Sequence, residues 1–241
     1  MDQRSGETLE ADEIQEIGQP NRWLSTKIIN AATELIRKKF PEVGGLFNCQ
    51  WGSLLQFNPA KSKKWVQIIH NNRDHYVAAC KGFGSDHVLV FDSNWNGGEP
   101  DQHLIYCIAK IENTKEKILN IGLMDCEKQK EYGSCGLYAI AFASALVHSL
   151  NPSELRFDVS KFRPHLINCI SAGEIIPFPT IGLRVRSNWR PKKKIPIPIY
   201  CVCRMPDFGD PRPLPERYSV MTQCNMCKKY YHPECENIRS L

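Results

Sequence analysis

The sequence has no apolar run long enough to cross a bilayer. Its longest, Leu137 to Val147, is stopped by His148, well short of the roughly 20 residues a spanning helix needs. It also lacks a basic, then apolar, leader. The first sixteen residues carry six acids against the lone Arg4, so secretion is not expected and neither is insertion in a membrane. Without an oxidising compartment, the eleven cysteines do not read as a disulfide scaffold; metal binding or catalysis is the expected use of those that cluster. There is no internal repeat and no strong charge of one sign. The net charge of +5 averages over unlike parts: −5 in residues 1–16, +3 in 17–183 and +7 in 184–241. A basic end of this kind suits nucleic acid, chromatin, an acidic protein or plain solvent equally well.

With 42% hydrophobic and 24% charged residues, most of the 241-residue chain should fold. Residues 1–18 show no apolar periodicity and are expected to form a disordered acidic N-terminus. Ile28, Ala32, Leu35, Ile36 and Phe40 recur at helical spacing, and Arg37, Lys38 and Lys39 suit the negative end of that helix. Trp65–His70, His75–Cys80 and His87–Phe91 read as strands, residues 102–112 as a helix and Ile118–Met124 as another strand. Leu137–Val147 is apolar all round and rich in alanine, the pattern of a helix buried in the core. One more amphipathic helix is expected over Ser160–Ser171. The basic, proline-rich stretch 184–199 reads as an extended linker, and residues 200–241 as a separate unit, since five of the eleven cysteines lie in the last 41 residues. The fold class is α+β, with a main domain over residues 19–183.

Cys135 falls at the start of the buried helix, between Gly133 and Gly136. Positive potential at a helix N-terminus favours a thiolate, and flanking glycines let a substrate approach closely. Taken alone, the residue reads more readily as a small buried hydrophobe, the default for Cys49, Cys80, Cys107, Cys126 and Cys169. Three other residues turn the reading toward chemistry. A thiol hydrolase needs an imidazole to take up the thiol proton, a carboxylate to orient the ring, and donors for the oxyanion. His75 and Asp92 lie at strand ends, and Gln129 lies six residues before Cys135, where its amide and the Cys135 N–H can both donate.

The order His75, Asp92, Gln129, Cys135, with Asp-His-Tyr-Val, Val-Phe-Asp-Ser and Gly-Ser-Cys-Gly-Leu-Tyr-Ala-Ile-Ala around them, resembles the Ulp-type ubiquitin-like protease family, which includes the SUMO-specific and adenoviral proteases. The resemblance covers about residues 20–180 and is strongest to the transposon-associated branch. It implies a papain-like, adenain-like fold and cleavage after the Gly-Gly tail of a ubiquitin-like modifier of the SUMO or ubiquitin class, in a precursor or a conjugate, with no cofactor for catalysis. It also implies an aromatic-walled tunnel, with Trp23 matching one wall and Tyr76 standing where tryptophan is usual. Ser134 replaces the usual aspartate before the nucleophile. Papain-like enzymes place cysteine before histidine, the reverse of the order here.

In the tail, Cys201-x-Cys203, Cys224-x2-Cys227 and His232-x2-Cys235 have the short spacing that puts two ligands on one tight turn, as tetrahedral zinc requires. The pattern resembles the first six ligands of a PHD finger. In that arrangement the first and third pairs share one metal, so Cys201, Cys203, His232 and Cys235 would close a complete site, while Cys224 and Cys227 would lack a fourth pair. A PHD finger implies a histone tail as partner. The rival reading is therefore a chromatin-binding protein whose protease domain is a scaffold; nucleic-acid binding through Arg184–Lys194 rests on charge alone. Residence is expected in the nucleus or cytoplasm.

Overall fold

A computed structural model describes residues 8–71, 74–184, 188–199, 201–206, 221–226 and 228–236. The chain runs α1 (Ala11–Ile17), α2 (Thr26–Lys39), β1 (Gly44–Gly45), α3 (Gln50–Ser53), β2 (Trp65–His70), β3 (Tyr76–Lys81), β4 (Val88–Phe91), α4 (Gln102–Glu112), β5 (Ile118–Leu123), α5 (Cys135–Val147), β6 (Leu155–Phe157), α6 (Phe162–Ala172), β7 (Thr180–Leu183), β8 (Lys193–Pro198), β9 (Thr222–Gln223) and β10 (Tyr230–Tyr231). The first five strands and β8 form one mixed sheet in the order β1-β2-β3-β4-β5-β8. Among its pairs, β1 with β2 and β4 with β5 are parallel and the others antiparallel.

Both faces of the sheet are covered, and the period of two along each strand divides its side chains between two cores. Tyr76, Ala78 and Cys80 of β3 and Leu89 and Phe91 of β4 face the core built with α2, α5 and α6. Val77, Ala79, Val88 and Val90 face the opposite core, which α4 completes with Leu104, Cys107, Ile108 and Ile111. All thirteen residues of α5 are buried, as an all-apolar helix requires. Its alanines share this core with the small Ala78 and Cys80 of β3, and α5 contacts that strand. Behind α5 an aromatic chain runs through Tyr138, Phe142, Phe157, Phe162 and Phe178, with ring centroids 5.1–5.8 Å apart.

Local chemistry sets the helix ends. Ser25 accepts a bond from the Ile28 N–H and Asp101 from the His103 N–H, each satisfying a donor that the first turn leaves open. The α2 helix ends on Arg37, Lys38 and Lys39 and is capped at Phe40, while α6 stops at Gly173 with φ 68°, a left-handed conformation that glycine takes without strain.

Two expectations are corrected. Part of the acidic N-terminus is ordered: residues 11–17 form α1, because Glu10 and Glu13 make a reciprocal capping box and Ile17 is fully buried. Arg163 of α6 then donates to the carbonyls of Ile17 (2.8 Å) and Arg22 (2.6 Å), closing the segment between them. The supposed linker is also structured. Residues 193–198 pair with β5 at six positions, alternating half-buried and exposed side chains. Pro196 and Pro198 fit because β8 is an edge strand, where a missing N–H costs no ladder bond. Proline and lysine on an edge also discourage pairing with another chain. The amphipathic helix expected from Ser160 begins as a 3-10 turn at Val159–Lys161 and becomes α-helical at Phe162.

Phe142 is fully buried between Phe91, Tyr138 and Phe157. Phe142→Ala should cost about 3–5 kcal/mol, read as a lower urea midpoint with an unchanged slope.

Candidate active site

The sheet and α5 converge on one cleft of about 330 Å3, lined by Trp23, Asp74, His75, Asn94, Gln129, Lys130, Glu131, Tyr132, Gly133 and Cys135. The loop before β3 presents His75, and the loop after β4 presents Asp92. Because β3 and β4 are antiparallel neighbours, the start of one and the end of the other share an edge of the sheet, and His75 Nε2 lies 2.7 Å from Asp92 Oδ1. Asp92 Oδ1 also accepts from the Asn94 N–H at 2.7 Å. Its backbone carbonyl accepts from Lys128 Nζ at 2.9 Å and from the Cys126 thiol at 3.4 Å, so the carboxylate is held from several sides.

With Nε2 committed to Asp92, the His75 ring lines the same cleft as Cys135, whose thiol is 3.9 Å from the Asp74 carbonyl, and both Asp92 and Cys135 favour the charged ring. Burial works against the charged ring and is the largest single influence. The hydrogen bond to Asp92 and the attraction of Asp92 and Cys135 together outweigh it, and the His75 pKa is pushed up to about 9. At neutral pH the ring is therefore charged. A cation beside the sulfur at the first residue of α5, where helix N–H groups lack internal partners, is the setting in which a thiol acts as nucleophile. Cys135 itself is 4% exposed, opening only onto the cleft.

Gln129 is clipped at two points. Its backbone N–H donates to the Ser93 carbonyl at 2.9 Å, and its Oε1 accepts from Ser93 Oγ at 2.8 Å. Fixing the amide oxygen leaves Nε2 as the outward end, with only a long 3.5 Å contact to the Glu131 carbonyl. The amide N–H groups and the Cys135 N–H are the donors available to a developing oxyanion. Gly133 explains how Trp23 enters the cleft. A Cβ on Gly133 would lie 2.4 Å from the indole, and its φ of 84° is itself a glycine conformation. The Tyr132 ring also contacts Trp23, tilted by 45° with centroids 5.3 Å apart.

Of the residues singled out in the sequence, His75, Asp92, Gln129, Cys135 and Trp23 meet at this place. Tyr76 does not line the cleft. It is 6% exposed, with its hydroxyl 3.0 Å from Thr26 Oγ1 and its ring against His70, because the strand alternation that sends His75 to the cleft turns Tyr76 into the core under α2. The sequence reading missed Ser93, Tyr132, Lys128 and Arg163. For Ser93 a signal existed in its place directly after Asp92; for Arg163, which ties down the segment leading to Trp23, there was none.

In the C-terminal segment, Cys201, Cys203, His232 and Cys235 come together, their ligand atoms all within 4.8 Å of one another. Cys224 stands outside that group, and Cys227 and the proline-rich insert 207–216 lie outside the described residues.

An imidazole bound to a carboxylate and sharing one cleft with a thiol and a side-chain amide is an arrangement able to support cysteine-peptidase chemistry. Residues 55–171, which hold all four of these groups, match the Ulp1 protease family, C-terminal catalytic domain; with the site geometry, this match makes the chain a cysteine peptidase. Similar solved structures include the SUMO protease Ulp1 with its catalytic cysteine oxidised to a sulfenic acid, 18% identical over 69% of this chain and 85% of that one, with a TM-score of 0.56. Another is the C-terminal Ulp1 protease domain in complex with Smt3, the yeast ortholog of SUMO, at 17% identity, 67% and 82% coverage and a TM-score of 0.55. At this identity the likeness is one of fold. No curated protein sequence matches the chain. Among the described residues, no helix is long and apolar enough to cross a membrane.

Two outcomes follow from the site. Since the His75 pKa is raised above its ordinary value near 6.5, its contribution to stability is fully present below about pH 6.5 and is lost as pH rises through about 9. An imidazole NMR titration should place His75 near 9, and Asp92→Ala should lower that value, since burial then meets less opposition. Ser93→Ala should reduce kcat about tenfold or more with little change in KM by freeing the Gln129 amide, and Ser93→Thr should restore most of it.

Proposed function

We propose that this chain hydrolyses the bond after the C-terminal Gly-Gly of a ubiquitin-like modifier, maturing its precursor or releasing it from a lysine. The 2.7 Å bond between His75 and Asp92, with Cys135 opening on the same cleft, carries this reading. As Sγ attacks the carbonyl carbon of the last glycine, the thiol proton resides on His75. The tetrahedral oxyanion is met by the Gln129 Nε2 and Cys135 N–H donors. Collapse breaks the C–N bond, His75 protonates the departing amine, and a thioester remains on Cys135. His75 then takes a proton from water, which attacks the thioester and frees the carboxylate.

The preference for glycine draws support from Trp23. Its indole lies against Gly133, with the Tyr132 ring tilted against it, a wall that suits a chain without side chains. SUMO is the modifier we favour, on the likeness to a protease solved with Smt3; the transposon-associated branch remains our reading of the Gly-Ser-Cys-Gly-Leu-Tyr flank, and nuclear or cytoplasmic residence goes with it. The scaffold alternative is disfavoured because each group the reaction needs is present and oriented.

We further infer that Cys201, Cys203, His232 and Cys235 hold one zinc ion, as the complete site of a PHD-type finger. A Cys3His set is a common structural zinc shell, and the 3.4 Å between Cys203 Sγ and His232 Nδ1 is close to the roughly 3.6 Å expected between ligands of a tetrahedral zinc. Zinc there would supply a crosslink and no part of the hydrolysis. Histone-tail and nucleic-acid binding rest on sequence pattern alone and form no part of this proposal.

Incubation with a Gly-Gly-terminated modifier bearing a fluorogenic amide should give turnover that Cys135→Ala abolishes and His75→Ala lowers by at least about a thousandfold. Unchanged turnover by the Cys135 variant would end the proposal.

A further inference from the structure

The cysteine-rich segment is not hung on a linker. Its first half is built into the main sheet: β8 pairs with β5 at six positions, the Ile199 N–H donates to the Lys117 carbonyl at 2.8 Å, and Ile199 and Met205, each 1% exposed, belong to the core shared with α4. Cys203 packs against that core. Arg204 donates through Nε to the Thr114 carbonyl at 2.7 Å and through its other guanidinium nitrogen to the Glu116 carbonyl. Cys201 and Cys203 therefore sit on a turn welded to the loop between α4 and β5. The turn itself is fixed, since the Arg204 N–H returns to the Cys201 carbonyl at 3.0 Å and Arg204 takes a left-handed φ of 62°. At the second pair, the Lys228 N–H bonds to the Cys224 carbonyl at 2.9 Å, and Lys228 also takes a left-handed φ, 58°.

The other two ligands come from far along the chain. His232 is fully buried, and Cys235 follows on a 3-10 turn whose N–H bonds to the His232 carbonyl at 3.0 Å. We infer that a single metal ion on Cys201, Cys203, His232 and Cys235 staples the C-terminal segment to the catalytic sheet, so that metal binding stabilises the peptidase domain through β8 rather than folding an independent reader module. This inference rests on the zinc reading of the cluster. Metal that binds only the folded chain adds its binding free energy to folding, and here it would tie together groups separated by the long loop between Cys203 and His232.

The position of the cluster separates this role from catalysis. Strands β4 and β5 are parallel, and Asp92 follows the C-terminal end of β4. Residue Leu123, at the same end of β5, pairs with Lys193, whereas Ile118, at the far end, pairs with Pro198. The cluster lies beyond Pro198 and therefore at the end of the sheet away from Cys135. Removing the metal should loosen the β5–β8 edge while leaving the triad chemistry of the still-folded protein in place.

The test uses the full chain. Metal analysis should find one zinc per chain, lost in Cys203→Ser and His232→Ala and retained in Cys224→Ser; cobalt(II) added alone to the zinc-free chain should give a tetrahedral thiolate spectrum with the same dependence. Chelation of the wild-type protein should lower its unfolding temperature by about 5–10 °C in a single transition, and zinc should restore it. Hydrogen exchange, which does not depend on any variant folding, should quicken on chelation at 118–123 and 193–199 and stay unchanged across α5. A chain that binds no zinc or cobalt, or binds two, overturns the single-site reading and the staple with it. Bound metal whose removal leaves the unfolding of the peptidase domain and the exchange of β5 and β8 unmoved overturns the staple alone.

Discussion

The packing of α5 against β3 is the constraint on which the rest of the molecule depends. An all-apolar, alanine-rich helix packs in one core with a strand whose inward residues include the small Ala78 and Cys80. Close packing leaves little freedom in the depth or direction of the helix. Its first residue, Cys135, is thereby delivered to the edge of the sheet where His75 precedes β3 and Asp92 follows β4. The sulfur, the ring and the carboxylate are supplied by three separate elements, and the rigidity of their common core turns sequence-distant groups into one reacting unit.

A second layer of contacts refines that unit. Ser93 fixes the Gln129 amide, Lys128 and Cys126 hold the Asp92 carbonyl, and Arg163 anchors the segment that carries Trp23 over Gly133. Each sets an orientation and none needs to touch substrate. The raised His75 pKa follows from the same arrangement, since burial opposes the charge and only well-placed partners overcome it.

Much of this was legible in the sequence, for physical reasons that differ by element. Strands β2, β3 and β4 and the helix α5 announce themselves through apolar runs of the right length, and His75, Asp92, Gln129 and Cys135 through their order and flanks. The linker reading of residues 184–199 failed because proline and lysine mark an edge strand as readily as a solvated tether; which of the two forms depends on β5 offering an open edge, a tertiary fact. Helix α1 was hidden because one buried side chain, Ile17, and a capping box suffice to dock so short a helix on α6. Tyr76 was placed by resemblance on the cleft wall, yet strand alternation turns it inward. Ser93 and Arg163 act through bonds to residues far off in sequence, which no local pattern reveals. The Cys201, Cys203, His232 and Cys235 grouping was implied by the likeness to a PHD finger, spacing alone giving only the short pairs, whereas its attachment to the sheet was not foreseeable.

The peptidase domain accordingly extends past the boundary that composition marks, through Met205, and the tail adds an outer clamp at the end of the sheet opposite the reacting groups. Stability and chemistry are thus divided between two ends of one scaffold. The central claim is that Cys135 carries the acyl group between the two halves of the reaction. Intact mass measurement after acid quench of the chain with a Gly-Gly-terminated SUMO amide tests it most directly. The account expects an adduct of the modifier less its leaving amine, mapped by digestion to the peptide containing Cys135 and discharged by hydroxylamine. Turnover with no such adduct, or an adduct on another cysteine, would contradict it.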